Sequence, residues 1–236
     1  MYVSRDGVRL FYQMTGSGDR DLFLLPQCQP VAHSRQWKSQ IPYLSRYFRV
    51  ATMDLRGNGH SDRPAAGYDL DTRYRDFLAV LEKTVRPPFA LVAYSCAGML
   101  AFRYAVEHPE RLSHLVLLSG QYSESVPQPF DEKVAPVIRN DFASWQRRLF
   151  ARCLPEPHSL KGIEDGINWS GETTPDVLVE SLRAIDGSNV YDILPNVRIP
   201  TLALHGSPRS STLRRSRERP VTRRRTPCTA DPTPST

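Results

Sequence analysis

Phe89-Ala90-Leu91-Val92-Ala93-Tyr94-Ser95-Cys96-Ala97-Gly98-Met99-Leu100 is an apolar stretch of strand character that runs directly into helix-forming residues, with a serine at the junction. The residues two before and two after Ser95 are Ala93 and Ala97, both small. A turn sharp enough to lift a serine hydroxyl above a sheet brings those positions against neighbouring backbone, where only small side chains fit. The pattern points to a serine presented for nucleophilic attack at a strand-to-helix elbow. An ordinary buried strand followed by a serine-capped helix has the same local composition, because serine is a favoured cap.

Working outward, the 236 residues are 40% hydrophobic, and no apolar run reaches the roughly 18 residues of a membrane span. One soluble domain with a core of ordinary size is expected, and no membrane partner. Met1-Tyr2-Val3-Ser4-Arg5-Asp6-Gly7 lacks a basic start followed by an apolar stretch, so the expected location is cytoplasmic. Cys28, Cys96, Cys153 and Cys228 are far apart without metal-ligand spacing, so free thiols are expected, with no metal site and no cofactor. The net charge of +6 resides wholly in residues 207–236, where eight arginines face Glu218 and Asp231. The remaining 206 residues balance 23 basic against 23 acidic groups, which argues against nucleic acid as a partner of the folded part.

Tyr2 to Gln13 alternates around Asp6-Gly7, a hairpin signal. Leu22–Leu25 and Phe48–Met53 read as short buried strands with a helix-length segment, Arg35 to Leu44, between them. Tyr74, Phe77, Leu78 and Leu81 keep helical spacing. Phe89–Tyr94, the helix Met99–Glu107 and the strand Leu115–Leu118 follow. This alternation predicts an α/β fold, a mostly parallel sheet with helices on both faces. Residues 1–120 form the expected core, 121–188 a helical lid insertion, and 189–206 the seventh core strand. Residues 207–236 hold too few apolar groups to bury an element, so a basic, disordered tail is expected.

With those elements placed, the chain resembles the α/β-hydrolase superfamily over residues 1–206. Four features carry the likeness: Asp54-Leu55-Arg56-Gly57-Asn58-Gly59-His60-Ser61, the Ser95 elbow, Glu107-His108-Pro109-Glu110-Arg111, and Ile199 to Gly206. Leu25-Pro26-Gln27-Cys28-Gln29-Pro30 stands where the family usually has His-Gly. It is similar to a subgroup with proline there and a following segment like His33-Ser34-Arg35-Gln36-Trp37. The resemblance implies Ser95 as nucleophile and the backbone N–H groups of Cys28 and Cys96 as the oxyanion hole. It implies a turn-ordering role for Asp54.

Such a serine needs a histidine base and an acid partner, both following it in the chain. The resemblance places the acid where Arg209 stands, and no histidine follows His205. His108, His114 and His158 are expected at the elbow-helix end, the next strand's edge and the lid, and His205 at the end of a buried strand. The eighth strand and closing helix are also missing, which would leave strand seven as an exposed edge. A reading-frame shift near Ser207 is the expected single cause of these losses. Two function classes follow: a hydrolase of ester, lactone or thioester bonds in a small organic substrate, impaired in this chain, or a non-catalytic module binding a small ligand or partner. Attachment to nucleic acid or a membrane surface through Arg214 to Arg225 ranks last. Trp145, Trp169 and Tyr122 either shape an apolar pocket or form the insertion's own core. No motif bears on the oligomeric state.

Overall fold

The computed structural model describes residues 1–29, 31–154 and 159–206, with Met1–His205 as one compact unit. Asp6 and Gly7 both take positive φ, which closes β1 (Tyr2–Arg5) onto β2 (Val8–Thr15) as an antiparallel hairpin. β3 (Arg20–Leu25), β4 (Phe48–Met53), β5 (Phe89–Tyr94), β6 (Leu112–Leu118) and β7 (Thr201–Leu204) are parallel to one another, and β2 joins β4 antiparallel. The sheet order is β1-β2-β4-β3-β5-β6-β7.

The two-residue period of a strand distributes this sheet's apolar side chains to two cores. Phe23, Leu25, Ala51, Met53, Phe89, Leu91 and Ala93 face α2 (Leu70–Thr84) and α3 (Gly98–Glu107), where Phe77 meets Phe23 and Tyr104 edge-on. Leu22, Leu24 and Val50 face the other way, against Trp37, with Val92 and Tyr94 beside them. Helices therefore cover both faces. α2 begins at Asp69, whose side chain accepts from the Thr72 N–H, and buries Tyr74, Phe77 and Leu81 as their spacing predicts.

Local differences from the sequence expectation have identifiable causes. Arg35 to Leu44 is a 3-10 turn, Ser34–Trp37, followed by a short α1 (Ile41–Leu44). Pro42 has no N–H to return to the Lys38 carbonyl, so a continuous helix cannot pass through it. β6 starts three residues earlier than its apolar run, at Leu112. Between β6 and β7 lie α4 (Ala135–Asn140), α5 (Phe142–Cys153), α6 (Leu160–Ser170) and α7 (Pro175–Ile185). Val126, Phe130, Ile138, Leu178 and Val179 give that segment a core of its own. Among the described residues no helix is long and apolar enough to cross a membrane.

His205 differs from its expected burial. It is exposed, as is all of β7, with Leu202 at 52% and Leu204 at 48%. β7 pairs with β6 alone among the described strands, and a parallel strand is buried only when elements lie over its side chains. The expectations for His158, Arg209 and the basic tail lie outside the described residues.

The sheet's hairpin, the β4 loop and α2 meet at a buried ion pair. Asp76, fully buried, accepts from Arg56 Nη2 at 2.8 Å and from Arg5 Nε at 2.6 Å. Removing one member of a buried pair leaves an uncompensated charge, so Asp76→Ala should cost about 3–5 kcal/mol in denaturant unfolding. A loss comparable to that of an exposed pair would show that the arginines find other partners.

Candidate active site

Ser95 is the first residue after β5 and opens the 3-10 turn Ser95–Ala97 that leads into α3, and its φ is +53°. That is left-handed backbone, costly for a residue with a Cβ and maintained only where the surroundings enforce it. The surroundings are tight on every side. Ala93 and Ala97 are completely buried, and a Cβ on Gly98 would stand 2.6 Å from the Gln121 carbonyl oxygen. The Gln121 N–H in turn donates to the Ser95 carbonyl at 3.0 Å. The loop after β6 is thus stitched to the elbow from both directions. Gly98 is the steric signal that the sequence reading passed over.

The Ser95 hydroxyl donates to Gln121 Oε1 at 3.4 Å and borders a cavity of about 510 Å³. Trp37 and Tyr94 line it from the sheet side, Leu149, Phe150 and Leu178 from the helical segment, and Gln27, Gln29 and Glu124 add polar groups. Burial pushes the Glu124 carboxyl up. Trp145 and Trp169 also line the cavity, as one sequence expectation had it. Tyr122 does not: its ring meets Tyr191 at a tilt with centroids 5.3 Å apart and packs on the main core, because the residues after Gly120 turn back toward 188–193.

Cys28 lies immediately across from the elbow. Its N–H donates to Cys96 Sγ at 3.1 Å, and its carbonyl accepts from Arg73 Nη1 at 2.7 Å. The Gln27 N–H is held by Gln36 Oε1 at 3.1 Å. The structure therefore brings Ser95, Cys96 and Cys28 together. Among the described residues it brings no histidine to the Ser95 hydroxyl: His108 ends α3 and His114 is an exposed residue of β6.

Asp54 orders the turn, as its resemblance implied. One oxygen accepts from the Ser34 N–H at 2.7 Å and the other from the His60 N–H at 2.9 Å. Segment 33–38 then fastens the helical segment over the cavity. Buried His33 contacts the Trp169 carbonyl through Nε2 at 3.0 Å, Arg35 pairs with Glu172, and Lys38 pairs with Asp165 while lying 4.8 Å over the Trp169 ring. Among the described residues there is no cluster of three metal-ligating side chains.

The alpha/beta hydrolase fold family profile matches residues 22–163. The chain is 26% identical over 217 residues to 2-hydroxy-6-oxo-6-(2'-aminophenyl)hexa-2,4-dienoic acid hydrolase of Metapseudomonas resinovorans, covering 87% of this chain and 73% of that protein. A hydrolase from Pseudomonas aeruginosa superposes with a TM-score of 0.76 at 24% identity, over 87% of this chain and 79% of the other. Esterase RhEst1 from Rhodococcus sp. superposes with a TM-score of 0.72 at 25% identity, over 86% and 78%.

Two outcomes follow from this geometry. Gly98→Ala, although favourable for a helix in isolation, should destabilise by about 1–3 kcal/mol in chemical unfolding, because the new methyl displaces the Gln121 backbone. An unchanged midpoint would mean that this loop yields freely. Burial lowers the His33 pKa from its ordinary 6.5, so the unfolded chain takes up the proton first as pH falls. The contribution of His33 is full above pH 6.5 and is lost as pH drops toward its folded value. Wild type should therefore lose more stability than His33→Gln between pH 6.5 and the acid limb, and parallel curves would refute a neutral buried imidazole.

Proposed function

The chain belongs to the α/β-hydrolase fold family, and from that premise we propose that it is a serine hydrolase of ester, lactone or thioester bonds in small organic substrates. The observation that carries the reading is the left-handed backbone of Ser95 at a strand-to-helix turn bordering a cavity of about 510 Å³. Strain of that kind persists where it places a side chain for use. The hydrolase and esterase names of the Metapseudomonas and Rhodococcus proteins support hydrolysis of a small molecule.

In this reading Ser95 Oγ attacks the substrate carbonyl, and the resulting oxyanion is received by the N–H groups of Cys96 and Cys28. The first N–H groups of a helical segment lack internal acceptors, and Cys96 lies at the start of the 3-10 turn Ser95–Ala97 leading into α3, which makes its N–H available. The Cys28 N–H now serves a thiol sulfur, a weak acceptor. A charged oxygen forms the stronger bond and displaces it. Each such donor is worth about 2.7–4 kcal/mol in the transition state. The residues around α4–α7 act as a lid that excludes water from the cavity.

Gln121, the hydroxyl's partner, cannot accept a proton at neutral pH, so the serine lacks a base among the described residues. Slow turnover is the consequence. The same observation favours the second reading, a module that binds a small ligand in the cavity without turning it over.

Hydrolysis of p-nitrophenyl butyrate distinguishes them. The chain should release p-nitrophenol slowly but above background, and Ser95→Ala should fall to background. Equal rates for both proteins, with ester binding retained, would establish the binding module instead.

A further inference from the structure

Two thiols meet where β3 ends and the elbow begins. Cys28 and Cys96 are 1% and 2% exposed, and the Cys28 N–H donates to Cys96 Sγ at 3.1 Å. Cys96 also lines the cavity, so a small molecule entering there reaches the Cys96 side of this pair. Beside them lies Arg73, 1% exposed. It donates one bond to the Cys28 carbonyl and rests 5.9 Å from the Tyr68 ring, while its Nε and Nη2 have no hydrogen-bond partner among the described residues. No carboxylate pairs with it among the described residues, so a buried guanidinium faces a thiol pair.

We propose that Cys28 and Cys96 form a peroxide-reactive dithiol site that closes into a disulfide across the elbow. Reactivity resides in the thiolate, and a neighbouring cation with a donated S–H favours that form. The neighbouring Cys96 thiol and, against the opposing effect of burial, the positive field of Arg73 hold the Cys28 thiol below its ordinary range. Donation to Cys28, reinforced by burial, holds the Cys96 thiol high. Glu124 opposes ionisation of both, and burial pushes its own carboxyl toward the neutral acid. The Arg73 guanidinium lies against Cys28, bonded to its carbonyl at 2.7 Å, so Cys28 is the attacking sulfur and Cys96 the resolving one.

The oxidant is hydrogen peroxide or another small hydroperoxide. The Cys28 thiolate attacks one peroxide oxygen, the O–O bond breaks, and the departing hydroxide leaves as water after taking a proton. Sulfur is oxidised to the sulfenic acid and peroxide is reduced. Cys96 loses its proton and attacks the Cys28 sulfur. The S–O bond breaks, a second water leaves, and the disulfide forms. One peroxide and two thiols thus give one disulfide and two waters. Both sulfurs belong to the residues whose N–H groups flank Ser95, so closure joins the β3 loop covalently to the elbow.

The test is peptide mapping of the full chain after limiting hydrogen peroxide, a readout that does not depend on hydrolysis. A linked Cys28–Cys96 peptide should appear, be reversed by dithiothreitol, and form about tenfold faster than any oxidation of exposed Cys153. In Cys96→Ser, Cys28 should accumulate as a sulfenic acid trapped by dimedone. In Cys28→Ser neither product should form. Oxidised glutathione, too large for the buried pair, should leave both thiols free. Modification of Cys153 with Cys28 and Cys96 still reduced would overturn the proposal, as would their conversion to sulfinic acids with no linked peptide.

Discussion

The left-handed turn at Ser95 is the constraint that the surrounding structure serves. A residue with a Cβ adopts that backbone only when alternatives are sterically closed, and here three segments close them. β5 arrives with a buried alanine two residues before the serine, and α3 leaves with Ala97 and Gly98 against the loop after β6. The Gln121 N–H then fixes the serine carbonyl. The same crowding brings the Cys96 sulfur against the Cys28 N–H, so the geometry of the elbow and of the β3 loop are set together.

A second set of contacts determines what lies over the serine. The turn after β4 uses Asp54 to hold the backbone of Ser34 and His60, and Ser61 to accept from the Phe11 N–H of the hairpin. Segment 33–38, positioned by that turn, reaches the helical segment through His33, Arg35 and Lys38. Thr173 donates back to the Gly57 carbonyl at 2.8 Å. A loop, a clasp and a cover are thus linked through side chains of one short stretch. Charged pairs that are individually weak at a surface gain here from flanking a buried imidazole and an aromatic face.

Much of this was legible from local pattern. Phe77 and Leu81 announced α2, Asp6-Gly7 the hairpin, and Ala93-Tyr94-Ser95-Cys96-Ala97 the elbow, because each depends on neighbours within a few residues. Boundaries were less legible: Pro42 divided a segment that reads as one helix, and β6 began at Leu112. Tyr122, an aromatic residue adjacent to Gln121, is turned toward Tyr191 instead of the cavity.

The sequence by itself determined the strand and helix alternation, the two-faced sheet and the serine at its sharpest turn. These follow from periodicity and side-chain size, which act over one or two turns of chain. Tertiary structure alone decided which groups meet. Arg73 and Asp76 sit three residues apart on α2, yet one is buried beside a thiol pair without a carboxylate and the other between two arginines. Nothing in the helix distinguishes them, because burial and pairing are set by what the sheet and loops bring from 20 to 71 residues away. For the same reason Cys28 and Cys96, separated by 68 residues, are unrelated in the sequence and adjacent in the fold.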